Sequence, residues 1–394
     1  MKKLLTAGCL LLFALFGCRK PYNPPAITNN NNFLVVEGII NAGQDSTIIK
    51  LSRTVQLSSE SVNNPELHAT VTVLSDANVG YALTETGNGN YAAAGLNLNA
   101  ANKYCLKIVS SNGKVYQSDF LPVKNSPPID SVYYVIKSDG VQINLTTHDP
   151  ANKTTYYRWS YNETYIIHPD SESYVVLKTT PFDTVVARTD TNQVYTCWRT
   201  DTASSIMLGS TARLSQDVIE QNQMTLIPYN SEKIAFRYSI LVKQYALSPD
   251  AFNYYTQLKK NTEQLGSIFD AQPTQLPSNI HCITTPSEPV IGYLSVGANA
   301  EKRIFIDNRP LPTTRYQPVL SVDGCFIGVY YFKRKIGFDT YVNDIPIWIY
   351  SGKQFPLTVI QPRGSPILGY LATDQICADC TLRGTNKRPS FWKD

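Results

Sequence analysis

Residues 234–296 read IAFRYSILVKQYALSPDAFNYYTQLKKNTEQLGSIFDAQPTQLPSNIHCITTPSEPVIGYLSV, and this stretch decides the architecture. Ile234, Phe236, Tyr238, Ile240 and Val242 alternate with Ala235, Arg237, Ser239, Leu241 and Lys243. A period of two predicts a long strand with one strongly apolar face. Ser248-Pro249-Asp250 then starts a helix: the serine can cap it, the proline suits its first position, and the acid lies near the positive end of the dipole. Ala251, Tyr254, Tyr255, Leu258, Thr262 and Leu265 fall on one face at the helical repeat, with Asn253, Lys260 and Glu263 mainly outside it. Gly266 suits the position after the last turn, so one main inserted helix is predicted over about 249–265. Burying Tyr255, Leu258 and Leu265 contributes roughly 1.5–3 kcal/mol each, enough to hold the helix against a sheet. Pro273 and Pro277 mark a loop, after which VIGYLSVG (290–297) and KRIFID (302–307) return to strand.

On the N-terminal side the chain is a series of short β-rich runs: FLVVEGII (33–40), STIIKLSRT (46–54), ATVTVLS (69–75) and GYALTET (80–86). Asn88-Gly89 and Asn112-Gly113 stand between such runs, the strongest short hairpin signal because a tight primed turn needs positive φ. Residues 33–121 are therefore expected to form a small β-sandwich of immunoglobulin or carboxypeptidase-regulatory type. Pro122, Pro127 and Pro128 punctuate a linker over 122–128. A larger β-sandwich-type domain is expected over 129–394, opening with a hairpin around Asp139-Gly140. In TYYRWSYNETYII (155–167) Tyr157, Trp159, Tyr161 and Glu163 share a face, and the order hairpin then aromatic strand resembles a fibronectin-type sandwich. Core packing is the favoured role of that stripe; stacking on a sugar makes Trp159 a candidate binding residue. Phe391 and Trp392 predict a C-terminal tail docked on the body.

Composition agrees with a mainly β fold: 25 tyrosines against 3 methionines, and 43% hydrophobic against 17% charged residues, suit pleated, half-buried surfaces. The formal charge of +4 includes Lys2 and Lys3, and so small a balance excludes an electrostatic case for nucleic acid. Those lysines open a signal peptide over 1–17: a basic start, an apolar run from Leu4 to Phe16, then Leu15-Phe16-Gly17-Cys18, which reads as a lipobox. Cys18 is the expected lipidation site, carrying palmitate-like acyl chains that anchor essentially permanently. Residues 18–32, rich in proline and asparagine, read as the tether.

Motifs for catalysis are missing. The sequence holds no GxSxG, HExxH, Walker A or GxGxxG arrangement, and His68, His148, His168 and His281 form no i, i+4 pair. No catalytic residue, metal ligand or cofactor is assigned. Apart from Cys9 and Cys18, the cysteines are Cys105, Cys197, Cys282, Cys325, Cys377 and Cys380. An oxidising compartment favours disulfides over a zinc site or a redox Cys377-Ala-Asp-Cys380 pair, and two bridges are expected among Cys197, Cys282, Cys325, Cys377 and Cys380. Cys105, alone in the first domain, is expected to be a buried free thiol. The loop from Asp270 to His281 is the first place to seek a partner, with Asp270, Gln272 and His281 as candidate binding residues.

FLVVEGIIN (33–41), THDP (147–150), RYSILVKQYALSPDAFNYYTQLKKNTEQLGSIFDAQP (237–273), NIHCITTPSEPVIGYLSV (279–296), EKRIFI (301–306) and CADCTLRGTNKRPSFW (377–392) together resemble the Bacteroidetes lipoproteins grouped as domain of unknown function 4249. The resemblance covers nearly the whole mature chain. It implies an outer-membrane lipoprotein of the cell envelope, often encoded beside a TonB-dependent receptor, with no assigned activity. Arg19-Lys20-Pro21 stands where that group carries an acidic pair associated with export to the cell surface. A binding or accessory partner of a TonB-dependent transporter is the expected function, with glycan or peptide capture, or a cryptic hydrolase, as alternatives.

Overall fold

The computed structural model describes residues 32–55, 64–180, 183–263, 276–311 and 324–393. The stretch expected to be a signal peptide with Cys18, and Leu265, Gly266, Asp270 and Gln272, lie outside them. No helix among the described residues is long and apolar enough to cross a membrane.

The first unit contains β1 (Leu34–Ile39), β2 (Thr47–Arg53), β3 (Thr70–Ser75), β4 (Gly80–Gly87), β5 (Asn90–Ala93), β6 (Lys103–Val109), β7 (Val115–Ser118) and β8 (Leu121–Pro122). They pair in the order β1-β2-β5-β4-β3-β6-β7, with β8 on β6. Alternate residues, Val71 and Val73 of β3 and Leu106 and Ile108 of β6 among them, point into one buried core with Tyr91 and Tyr116. Asn88 (φ 51°) and Gly89 (φ 74°) join β4 to β5 with both central residues in the left-handed region, as a primed turn requires. A Cβ on Gly89 would lie 2.2 Å from the carbonyl oxygen of Leu51.

The second unit is a two-sheet sandwich. Its strands are β9 (Ile129–Ile136), β10 (Gly140–His148), β11 (Tyr156–Ile167), β12 (Val175–Lys178), β13 (Thr184–Ala187), β14 (Cys197–Thr202), β15 (Met207–Ser210), β16 (Val218–Pro228) and β17 (Arg237–Ala246), with β18 (Ile280–Cys282) and β19 (Ala300–Asp307) following in the chain. The sheet β16-β10-β9 faces the sheet β14-β11-β17-β19, to which β15 adds beside β11. Val141, Ile143 and Leu145 of β10 meet Tyr157, Trp159 and Tyr161 of β11 and Tyr238, Ile240 and Val242 of β17 in one core. Strand β17 starts at Arg237 and not at Ile234, because Ser231 caps a short helical turn, Glu232–Ile234, with its hydroxyl. Trp159 is 1% exposed and donates its indole N–H to Gln244 Oε1 (2.9 Å), so its candidate stacking role is corrected to a core role. The amide of Gln244 donates in turn to the Pro127 carbonyl (2.9 Å) and Thr147 Oγ1 (3.0 Å), bolting the linker to the sandwich.

Between β17 and β19 the chain makes helix α1 (Pro249–Glu263) and then leaves for the first unit. Ser248 Oγ accepts from the Ala251 amide (3.1 Å) as an N-cap. Ala251, Tyr254 and Tyr255 bury against Leu247, Tyr156, Leu208 and Tyr245, while Thr262, at the far end of the same face, is exposed. Strand β18 then pairs antiparallel with β7. Residues 291–296 run beside β1: the Val36 amide donates to Ile291 O (2.8 Å), Ile291 to Leu34 O (2.9 Å), and Ile40 to Ser295 O (3.0 Å). Asn279 ties the two together, accepting from the Leu294 amide (2.9 Å) and donating to its carbonyl (3.0 Å). Ile280, Cys282, Val290, Leu294 and Val296 complete the first core. The first unit is thus residues 33–121 plus a return segment, 278–298, that the sequence reading placed in the second domain.

The chain ends in a small module: β20 (Gly328–Tyr331), β21 (Arg334–Lys335), β22 (Tyr341–Val342), β23 (Phe355–Ile360) and β24 (Gly369–Thr373), with a helical turn at Pro346–Tyr350. The sheet β20-β24-β23 packs Tyr370 and Ala372 on Ile345 and Ile349, its own core cluster. Cys325 bonds Cys377, and Cys380 bonds Cys197 on β14. Each cysteine of the CxxC pair therefore reaches a remote partner. Cys105 is a buried free thiol, and so is Cys282, which had been a disulfide candidate; it joins the first core instead. The tail docks as expected, Trp392 meeting Trp198 and Phe305 edge-on with ring centroids 6.3 and 5.5 Å apart.

Non-reducing peptide mapping of the mature protein is expected to find the 197–380 and 325–377 linkages, with Cys105 and Cys282 alkylated only after unfolding. A bridge involving Cys282 would contradict the structure.

Candidate functional site

Helix α1 and the return segment leave a groove of about 590 Å³ where the two sandwiches meet. Its walls include Asn253 and Gln257 of α1 and Ser278, His281, Ser287 and Glu288 of the return segment. The volume falls in the range of small-ligand sites, and such clefts favour junctions between structural units. His281, 58% exposed, places Nε2 3.3 Å from Asp119 Oδ1 at the surface. Ile280 and Cys282 on either side of it are each 2% exposed, so β18, the end strand of its sheet, offers the groove the His281 side chain while its neighbours face the core.

The groove's Glu288 is fixed from below by charge. Arg53 Nε donates to Glu66 Oε2 (2.6 Å) and Arg53 Nη1 to Tyr116 Oη (3.2 Å). Tyr116 Oη donates to Glu288 Oε1 (2.8 Å), and Lys114 Nζ donates to the other carboxylate oxygen. Burial alone would raise the Glu288 carboxyl; the hydrogen bonds from Lys114 and Tyr116, with the charges of Lys114 and Arg53, outweigh it and hold the group below its ordinary value. The Tyr116 phenol is pushed up to about 12, by burial first and then by its hydrogen bond to Glu288. Glu288 and Glu66 are each paired with a cation, although Arg53 Nη2 is left buried without a partner, and these pairs fix the segment's position on the first sandwich.

The four histidines lie apart from one another. His148 Nδ1 sits 2.7 Å from Asp130 Oδ2, and that hydrogen bond raises its pKa. His68 lies 3.7 Å from Glu85 and is exposed. His168 is clasped between Tyr195 and Phe236, ring centroids 4.4 and 4.0 Å away, and burial lowers its pKa. Among the described residues the hydroxyl hydrogen-bonded to a histidine is that of Thr196, 3.3 Å from His168 Nε2. No serine or cysteine joins a histidine there, so the nucleophile–base pair of a hydrolase is not assembled in the described residues. Nor do those residues group three metal-ligating side chains.

A second surface went unread in the sequence. In the C-terminal module Phe338 is 92% exposed and Phe326 81%, and Ile327, Val329, Ile336, Tyr341, Ile347 and Trp348 are exposed beside them. The run GVYYFKRKIGF (328–338) reads as strand, and only the packed structure reveals that part of it projects into solvent. Exposed apolar area on this scale marks a contact surface.

A family model described as Domain of unknown function (DUF4249) matches residues 19–303. The chain belongs to that family. The match ends within β19, before the C-terminal module. No curated protein matches the chain. Among solved structures, a two fibronectin type-III domain segment from chicken tenascin is similar over 55% of this chain and 91% of that one, at 12% identity and TM-score 0.16. A mutant alpha-2-macroglobulin from Salmonella is similar over 79% of this chain and 16% of that one, at 8% identity and TM-score 0.18. The sandwich assignment rests on the strand pairings themselves.

In this DUF4249 member, Glu288→Gln keeps the shape of the groove but removes the charge facing Lys114 and Arg53. It is expected to cost about 2 kcal/mol at neutral pH by denaturant unfolding, below the figure for a fully buried pair because Lys114 is partly exposed. The folded carboxyl titrates below its ordinary 4.5, so its contribution is complete above that value and fades as pH falls through the folded one. The stability gap between parent and variant should narrow on acidification; a gap unchanged into strong acid would contradict the assignment.

Proposed function

We propose that the chain is a non-enzymatic lipoprotein of the cell envelope, acylated at Cys18 and held at the outer membrane, that binds a partner there, a TonB-dependent transporter first of all. The signal peptide and the family support the setting. The observation that carries the binding role is the groove between α1 and the return segment. Its walls combine a helix, a short strand and a proline-rich loop, its lining mixes Leu276, Ile280 and Val290 with Asn253, Gln257 and Ser287, and His281 with Asp119 presents an exposed pair at its surface. The side-chain amides of Asn253 and Gln257 can donate to and accept from a polypeptide backbone, which suits an extended loop of a partner. Sugar capture on the aromatic stripe of β11 loses its platform, since Trp159 is interior.

Affinity purification of the lipidated protein from solubilised outer membrane is expected to recover the transporter. Asn253→Arg with Ser287→Arg, which fill the groove from exposed positions, should lower that recovery about tenfold, the loss expected when a charged group is left without a partner in an interface. Recovery unaffected by the pair of arginines would remove the groove from the account, and a protein repeatedly isolated without partner would remove the binding role.

A further inference from the structure

The exposed face of the C-terminal module has a composition that the groove lacks. Strands β21 and β22 pair through two residues each, Arg334 with Val342 and Lys335 with Tyr341, and the tip between them carries Ile336 and Phe338 into solvent. Lys333 Nζ lies 4.3 Å from the ring centroid of Tyr341, Lys335 Nζ 5.8 Å from Phe338, and Lys353 Nζ 5.7 Å from Trp348. Each ammonium is thus held against an aromatic face. Arg334 is spent internally, as a two-pronged pair with the buried carboxylate of Asp344 at 2.8 and 2.9 Å. Asp339 at the tip and Asp374, which accepts from the Gln354 side chain (2.8 Å) next to Lys353, are acids near these groups, so Lys333, Lys335 and Lys353 outnumber them by one.

Rings and lysines in alternation, projecting from a narrow hairpin, fit a soft surface better than a fitted one. Aromatic side chains with polar or cationic ends settle at the boundary between headgroups and hydrocarbon, and lysine stems lie along apolar surface while the ammonium reaches anionic headgroups. Trp348, on the helical turn, meets Tyr330 at a tilt of 43° with centroids 6.0 Å apart and carries Lys353 on its ring, the same combination of ring and lysine as the hairpin. We propose that the hairpin 332–342 and the turn 346–350 form a lipid-surface contact that seats the C-terminal module on anionic phospholipid headgroups. Two attachments, the N-terminal acyl chains and this face, would hold the protein down at both ends of its sequence. The inference stands whether or not the groove binds a transporter.

The test is flotation with lipid vesicles, using the chain from Arg19 onward throughout, so that neither an acyl chain nor the apolar run Leu4–Phe16 contributes. Vesicles of phosphatidylcholine with phosphatidylglycerol are compared with phosphatidylcholine alone. The parent is expected to float with the anionic vesicles, less in high salt, and with the neutral vesicles much less. Phe338→Ser with Ile336→Ser, and separately Lys333→Glu with Lys335→Glu, should each lower the bound fraction about tenfold, from lost apolar burial in the first case and lost attraction in the second. A second readout guards against misfolding: brominated lipid should quench tryptophan fluorescence in the parent, and Trp348→Phe should abolish that quenching while thermal unfolding is unchanged. No flotation of the parent, equal flotation on neutral vesicles, or variants that float like the parent would each overturn the proposal.

Discussion

The first sandwich has two open sheet edges, and one segment from a connection in the second sandwich closes both. Strand β18 takes the outer edge of β7, and residues 291–296 take the outer edge of β1. An unpaired edge leaves a row of backbone donors and acceptors for other chains to find, and proteins manage such edges explicitly. Here the cover is covalently part of a neighbouring unit. Asn279 locks the two covers together through the Leu294 backbone, at a site where both partners are buried. The groove, the position of α1 and the relation of the two sandwiches all follow from that closure.

Energies favour it. Ile280, Val290, Leu294 and Val296 are buried in the first core, and each contributes roughly 1.5–3 kcal/mol, an upper estimate because unfolded chains already hide some apolar area. Closing a loop grows dearer only by about 0.6 kcal/mol for each doubling of its length, so a long excursion from β17 to β19 is offset by a few buried side chains. The pairs around Glu288 add orientation as well as stability: Glu288 and Arg53 are nearly buried and Lys114 is the partly exposed member, so loss of the carboxylate is set at about 2 kcal/mol. The disulfides act elsewhere, holding the C-terminal module together and tying its tail to β14.

Local rules were legible where a single residue or a short period governs the outcome. The alternation in β17, the Ser248 cap and the Asn88-Gly89 turn each came through, as did the sandwich class and the docked Trp392. What the sequence hides is partnership. IHC in β18 is too short to show a period, and its partner β7 lies far back in the chain. Cys282 reads as a bridge candidate if the compartment is taken as oxidising, yet pairing needs a second cysteine within reach, and its sulfur meets the Thr284 hydroxyl (3.5 Å) and the apolar first core instead. The aromatic hairpin of the C-terminal module reads as an ordinary strand because exposure is decided by what packs over a residue, which no local pattern states.

The two surfaces divide the labour of the proposed role, a groove of mixed lining at the junction of the sandwiches and an apolar, basic face on the module that follows. The groove exists only while the return segment stays down, so the closure is the claim to test. Native-state hydrogen exchange at the Val36 and Ile40 amides, which donate to the return segment, can be compared with that at Ile240 in the second core, in the parent and in Asn279→Ala. If the closure joins the units, Val36, Ile40 and Ile240 exchange through one shared global opening, and Asn279→Ala weakens protection at all three by the same factor. Exchange of Val36 and Ile40 through a smaller opening of their own, with Ile240 untouched by the substitution, would show that the sandwiches are independent and contradict the account.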